Sequence, residues 1–243
     1  MDQLAEAKQK AGRTLEVAGE CPQCEGTGIL ISRDNVATLC PCGAYQRQKN
    51  AALYAAARIP RKFANKSIES FEVKQGDHKR RTLRDAAHAW ANTFTSSEER
   101  GIRLYGKTGC GKTHLAVGML KTILGRGFSG CYYNVTDLLL EIRSTYNRES
   151  DAREFEILEE INEFDLVVFD DLGVEKPSAW VMERLYLIFN RRYELCKPML
   201  ITTNCTMSEL SERIGERIAS RIMEMTDSIG AFPEEDYRYA NLS

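Results

Sequence analysis

GIRLYGKTGCGKTHLAVGMLKTIL, residues 101–124, reads in order as a short strand, a glycine-rich loop and a helix. Gly101–Tyr105 is short and mostly apolar, and Leu115, Val117, Met119, Leu120, Ile123 and Leu124 recur at helical spacing. Between them Gly106, Lys107, Thr108, Gly109, Cys110, Gly111, Lys112 and Thr113 match GxxxxGK[ST] in the strand-to-helix setting a phosphate-binding loop requires. Glycines let successive backbone N–H groups turn inward around an anion, and the helix N-terminus adds a favourable dipole. In such a loop Lys112 reaches the β- and γ-phosphates and the Thr113 hydroxyl binds Mg2+, so the expected ligand is ATP with magnesium. The Cys110 thiol has no evident part in phosphate binding.

Outward from this loop, Asp165–Asp171 (DLVVFDD) reads as a buried parallel strand, an apolar run Leu166–Phe169 ending in two carboxylates. Asp170 is the expected second anchor for magnesium, and Asp171 is placed to polarise the attacking water. A further apolar strand, Pro198–Ile201, ends in Thr202, Thr203 and Asn204, which makes Asn204 a candidate sensor of the γ-phosphate. The intervening pattern predicts a strand at 130–135, helices at 136–147 and 152–162, a strand at 166–170, a helix at 178–196, a strand at 198–202 and helices over 206–225. Strands alternating with helices predict an α/β fold, a parallel sheet covered on both faces with the ligand at the strands' C-terminal ends.

The chain has 243 residues and no apolar run near the roughly 20 residues of a membrane-spanning helix, so no membrane association is expected. The N-terminus lacks the apolar core of a secretory signal, and the expected location is cytoplasmic. Reducing thiol pools there argue against disulfides among the eight cysteines. Cys21 and Cys24 form a CxxC, Cys40 and Cys42 a CxC, and two such pairs suit one tetrahedral Zn2+ held entirely by protein. The string CPQCEGTG also resembles the zinc motif of the DnaJ chaperones. A segment this poor in apolar residues draws its folding energy from the metal, about 10–16 kcal/mol. Cys131, Cys196 and Cys205 are expected as small buried hydrophobes.

Charge is unevenly distributed. Residues 43–100 carry 12 basic and 6 acidic side chains, whereas residues 101–243 carry 17 and 23. The densest basic run, His78–Arg84 (HKRRTLR), offers either contacts to nucleic acid phosphates or a solvated helix face. Ala44–Ala64 reads as a helical connector. Residues 78–94, with Leu83, Ala87, Trp90 and Phe94 on one side, read as a helix packed on the core.

Four strings, IPRKFANKSIESF (59–71), GKTGCGKTHLA, VVFDDLG and GERIASR (215–221), resemble AAA+ ATPases of the DnaC and IstB type, bacterial and phage helicase loaders and transposase helpers. The resemblance implies a parallel-sheet P-loop AAA+ core with a small N-terminal zinc-binding helical appendage. It implies an ATP-dependent loader that binds a replicative DNA helicase hexamer and single-stranded DNA, and that self-associates through AAA+ interfaces. It further implies that Arg221 is an arginine finger for a neighbour's γ-phosphate, with Arg217 one turn earlier as the alternative, and that Arg238 in DYRYA is a second phosphate sensor. The corresponding organisation is 1–58 for zinc and helicase docking, 59–100 for a linker and leading helix, and 101–243 for the ATPase core. Two rivals stand beside it: a transposase helper acting on duplex DNA, and a zinc-dependent DNA-binding or chaperone-like adaptor that binds ATP without turnover.

Overall fold

The structure, a computed structural model, describes residues 21–32, 36–96, 100–146, 151–233 and 237. The chain divides into two compact units, Met1–Ala51 and Ala52–Ser243. In the first, β1 (Ile29–Ile31) and β2 (Ala37–Leu39) form an antiparallel pair with Ile29 opposite Leu39. Helix α1 (Ala44–Ala56) begins in this unit. It is shorter than the connector expected from sequence, because Arg58 adopts a left-handed φ of 51° and Pro60 disfavours helix at the residue before it.

Within the second unit a short 3-10 turn at Arg61–Phe63 follows α1. The chain then runs α2 (His78–Thr93), β3 (Gly101–Tyr105), α3 (Lys112–Gly125), β4 (Gly130–Asn134), α4 (Val135–Thr145) and α5 (Asp151–Glu163). It continues through β5 (Leu166–Leu172), α6 (Ala179–Glu194), β6 (Met199–Thr203), α7 (Met207–Ile214), α8 (Glu216–Met225) and β7 (Thr226–Ser228). The strands form one parallel five-stranded sheet in the order β4-β5-β6-β3-β7. This is the α/β arrangement the alternation predicts. The short strand β7 was not anticipated: Thr226, Asp227 and Ser228 have no apolar pattern and become a strand only by pairing with Gly101–Arg103.

Several boundaries move for identifiable reasons. Strand β4 stops at Asn134 because its side chain caps α4, accepting the N–H groups of Thr136 and Asp137. Ser178 caps α6, and Thr206 with Glu209 forms a capping box on α7. Strand β5 runs past its apolar residues to Leu172, so both carboxylates lie within the strand. Its register against β6 shifts between Phe169 and Leu172, and Asp171 takes a φ of 60° there.

Alternation along β5 sends Leu166 and Val168 to one face and Val167 and Phe169 to the other. On the first face Leu83, Ala87 and Ala91 of α2 and Leu115, Met119, Leu120 and Ile123 of α3 complete the core. On the second, Leu138, Ile142, Ile157, Ile161, Leu185 and Phe189 do so. Each such buried Leu, Ile, Met or Phe side chain contributes about 1.5–3 kcal/mol, and each alanine methyl less. Trp90 packs on Phe94 with ring centroids 5.3 Å apart and donates its indole N–H to the Arg100 carbonyl, as a core-facing aromatic does.

Gly118 of α3 sits against the backbone of residues 67–68, where an added Cβ would meet Ile68 N at 2.6 Å. The segment 59–71 thus lies directly on α3. Arg192, fully buried, donates to the carbonyls of Ile161, Phe164 and Pro198 and ties the end of α5 to the approach to β6. Cys131 and Cys205 are buried as expected, but Cys196 is exposed. It occupies the left-handed position that terminates α6, with φ 50°, so its side chain points away from the core. Among the described residues no helix is long and apolar enough to cross a membrane.

Candidate functional site

The loop between β3 and α3 opens onto a cavity of about 530 Å³ at the C-terminal ends of β3, β5 and β6. Thr108, Gly109, Gly111, Lys112 and Thr113 line it, together with Asp171 and Asn204. Gly111, with φ 105°, lets the loop turn into α3, and a Cβ there would strike Phe71 at 2.7 Å. Lys112, almost wholly buried, donates to the Gly106 and Lys107 carbonyls at 2.8 and 2.9 Å and to Asn204 Oδ1. The geometry therefore joins the loop lysine to the polar tip of β6.

Asp170 is 2% exposed and accepts three hydroxyl groups. Thr113 Oγ1 and Thr202 Oγ1 donate to its Oδ1 at 2.8 and 2.6 Å, and Tyr132 OH donates to Oδ2 at 2.6 Å. Burial, then the adjacent Asp170 charge, push the Tyr132 phenol well above its ordinary range, which keeps it a donor. Sequence reasoning missed Tyr132; the only signal was its place on the strand beside β5. Asp171 is half-buried, lines the cavity, and has its backbone N–H fixed by Thr202 Oγ1 at 2.9 Å. A hydroxyl and a carboxylate 2.8 Å apart at the mouth of a phosphate loop are hard oxygen donors that fit magnesium. Cys110 is fully buried and burial raises its thiol pKa, so it is a packed hydrophobe and not a nucleophile.

The segment 59–71 walls one side of the cavity through Lys62, Phe63, Lys66, Ser70 and Phe71. It is lashed to α3 from two points. Lys121 Nζ donates to the carbonyls of Phe63, Ala64 and Lys66, and His114 Nε2 meets the Ser67 carbonyl at 2.9 Å and Ser70 Oγ at 3.0 Å. A carbonyl only accepts, so Nε2 carries the proton. Burial lowers the His114 pKa and keeps the ring neutral.

The basic run 78–84 divides. Arg80 is 2% exposed and faces the cavity with its guanidinium on the loop, so it cannot meet DNA, whereas Lys79 and Arg81 are exposed. The reason is visible in the helix register: positions 80, 83, 87 and 91 share one buried stripe. A different surface group, in which Tyr146 and Arg143 are exposed and Trp180 is half-buried, combines aromatic rings with a cation. Tyr146 and Trp180 pack edge to face at 6.3 Å, the Trp180 indole donates to Tyr146 OH at 3.3 Å, and Arg143 stands 5.8 Å from the Trp180 centroid.

Arg221 lies outside the cavity lining, with its guanidinium 4.9 Å from the Tyr186 ring and 5.3 Å from the Tyr193 ring. Arg217, one turn earlier on α8, is exposed. Arg238 falls outside the described residues.

In the N-terminal unit Cys21, Cys24, Cys40 and Cys42 come together, all four sulfurs within 4.8 Å of one another. Cys21 and Cys40 are 3.8 Å apart and Cys24 and Cys42 3.5 Å. A tetrahedron with Zn–S near 2.3 Å requires sulfurs about 3.8 Å apart, so the group fits one zinc-sized ion. The Gly28 and Ala44 N–H groups donate to Cys24 Sγ and Cys42 Sγ, as they would to metal-bound thiolates. Backbone donors at Gln23 and Cys24 pull the Cys21 thiol down to about 7. For Cys40 the Cys42 backbone also lowers the pKa, but burial and hydrogen bonds with the other sulfurs outweigh it and push the thiol up to about 12.

Residues 42–226 match the family described as IstB-like ATP binding protein. The replicative helicase loader DnaC of Escherichia coli K12 is 32% identical over 117 residues, which are 48% of this chain and 47% of that protein. This chain thus spans about half the length of the DnaC relative it matches. The phage-like element PBSX protein XkdC of Bacillus subtilis is 26% identical over 220 residues, covering 85% of this chain and 79% of that protein. Among solved structures, that of the DnaC helicase loader superposes with a TM-score of 0.65 at 26% identity, covering 72% of this chain and all of that one.

Proposed function

We propose that this chain, which belongs to the IstB-like ATP binding protein family, uses ATP hydrolysis to load a replicative DNA helicase onto single-stranded DNA. The observation that carries the ATPase half is the joining of three strand ends around the loop: Lys112 to Asn204, and Thr113 to Asp170. The likeness to helicase loaders supports the other half.

In this reading the loop N–H groups and Lys112 bind the β- and γ-phosphates, which compete with the Gly106 and Lys107 carbonyls for the ammonium. Thr113 and Asp170 hold magnesium, whose charge would offset that developing on the transferred phosphoryl group. Tyr132 and Thr202 keep the Asp170 carboxylate from turning. Asp171, projecting from the irregular end of β5, orients and polarises the attacking water, and Asn204 reports the γ-phosphate to Lys112. Arg221 serves a neighbouring copy's site as the arginine finger, and Arg217 is the alternative. Arg238 is the second phosphate sensor.

Residues 1–58 form the helicase-docking region, with one zinc ion on Cys21, Cys24, Cys40 and Cys42; residues 59–100 link it to the ATPase core at 101–243. Single-stranded DNA stacks on the exposed Tyr146 and the half-buried Trp180 beside Arg143, since surface rings near a guanidinium suit unpaired bases. Such a protein works in the cytoplasm.

A second reading, supported by the resemblance to IstB-type ATPases, is a transposase helper on duplex DNA. Co-purification separates the two: a replicative helicase hexamer retained by this chain supports the loader, and a transposase retained in its place supports the helper. ATP turnover stimulated by DNA and partner separates both from an adaptor that only binds nucleotide.

A further inference from the structure

We infer that Arg80 and Tyr237 form a brace on the carbonyls of the phosphate loop, at the edge of the cavity, and act as positioning residues for nucleotide binding; this rests on the nucleotide reading above. Arg80 stands on the buried stripe of α2, where a charge is costly to desolvate unless its donors are met. Its Nη2 donates to the Cys110 carbonyl at 3.1 Å, while its Nε, 3.5 Å from Asp77 Oδ2 as an ion pair, makes no hydrogen bond among the described residues. Its guanidinium carbon is 3.3 Å from the Tyr237 ring centroid and 5.0 Å from that of Phe71. Tyr237 reaches the loop independently, its backbone N–H donating to the Gly109 carbonyl at 3.2 Å. Lys74 Nζ is also 5.3 Å from the Tyr237 ring.

Two consecutive loop carbonyls, those of Gly109 and Cys110, are therefore held by the two members of one stacked pair. A phosphate loop binds through its N–H groups, which must converge, so its outward carbonyls are the natural handles for fixing its shape. Each held carbonyl belongs to the same peptide as the next N–H, at Cys110 and Gly111, and a hydrogen bond accepted by one end polarises the other. Arg80 differs in this from Arg192, the other buried arginine among the described residues, whose carbonyl partners lie away from the cavity. The Tyr237 hydroxyl is buried with no hydrogen-bond partner among the described residues, so the ring rather than the oxygen does the bracing.

The test is direct titration of the full chain with a fluorescent ADP analogue, alongside thermal unfolding. Arg80→Lys loses the flat fork and the stack but keeps the charge, and it should weaken binding about ten-fold or more. Tyr237→Ala should weaken it to a similar degree, and Tyr237→Phe should restore what Tyr237→Ala loses. Wild-type affinity in both Arg80→Lys and Tyr237→Ala, with binding lost in Lys112→Ala, would overturn the brace and leave the nucleotide reading standing. Equal weakening in Tyr237→Phe and Tyr237→Ala would also overturn it, since the ring would not be the agent. Wild-type affinity in Lys112→Ala would instead remove the nucleotide reading itself. Should Arg80→Lys fail to fold, the two Tyr237 variants decide alone.

Discussion

Thr113 and Asp170 stand 57 residues apart in the chain, yet Thr113 Oγ1 donates to Asp170 Oδ1 at 2.8 Å. One belongs to the first turn of α3 and the other to the end of β5, two sheet positions away from β3. Their meeting joins the phosphate loop to the only carboxylate pair on the strand ends among the described residues.

Lys112→Ala should abolish measurable ATP binding, because the phosphates lose their main side-chain counterion. Asp171→Asn should bind ATP within about two-fold of wild type and lose turnover, since magnesium remains with Thr113 and Asp170 while the water loses its polarising carboxylate. Isothermal titration and phosphate release, run on the same preparations, check both. Unchanged affinity in Lys112→Ala would refute the phosphate-loop assignment.

The loop and the strand DLVVFDD were legible because each is a local string with its own chemistry. The four-cysteine cluster was equally legible, as two short spacings bring the sulfurs within 4.8 Å. Tyr132 and Arg80 were hidden for opposite reasons. Tyr132 looks like an ordinary strand aromatic, and only the pairing of β4 with β5 brings it to Asp170. Arg80 lies in a run whose dense charge suggested solvent or DNA. Its spacing to Leu83, Ala87 and Ala91 already placed it on the apolar stripe, and periodicity was the better guide. Strand β7 had no signal of its own.

The cysteine cluster should carry one zinc ion per chain. Metal analysis of the purified protein should find stoichiometric zinc, lost when Cys21 and Cys24 become Ser, with residues 21–42 then open to limited proteolysis. Four fast-reacting thiols and no metal in the native protein would contradict the site.

Binding to single-stranded DNA should weaken steeply with salt, through counterion release. Substituting Tyr146 and Trp180 by Ala together should lower affinity about ten-fold or more, as stacking contributes roughly 1–3 kcal/mol per base. Removing the exposed Lys79 and Arg81 tests the basic run separately. If only the second pair matters, DNA tracks α2 and the aromatic pair is structural.

Arg221 and Asp171 should belong to opposite sides of one interface. Asp171→Asn and Arg221→Ala are each expected to be inactive, but mixing them forms some junctions with an intact carboxylate and an intact finger. Partial ATPase activity should then return, in the presence of DNA and helicase. No recovery in mixed assemblies that demonstrably form would transfer the role to the exposed Arg217.

Helicase loading onto closed circular single-stranded DNA, which has no end for a ring to thread, reads out ATP-dependent loading itself. Replicative helicase, this chain and ATP should yield helicase that remains on the circle through gel filtration, and Lys112→Ala should leave the circle bare. Equal helicase retention with and without this chain, or with Lys112→Ala in its place, would contradict an ATP-dependent loader.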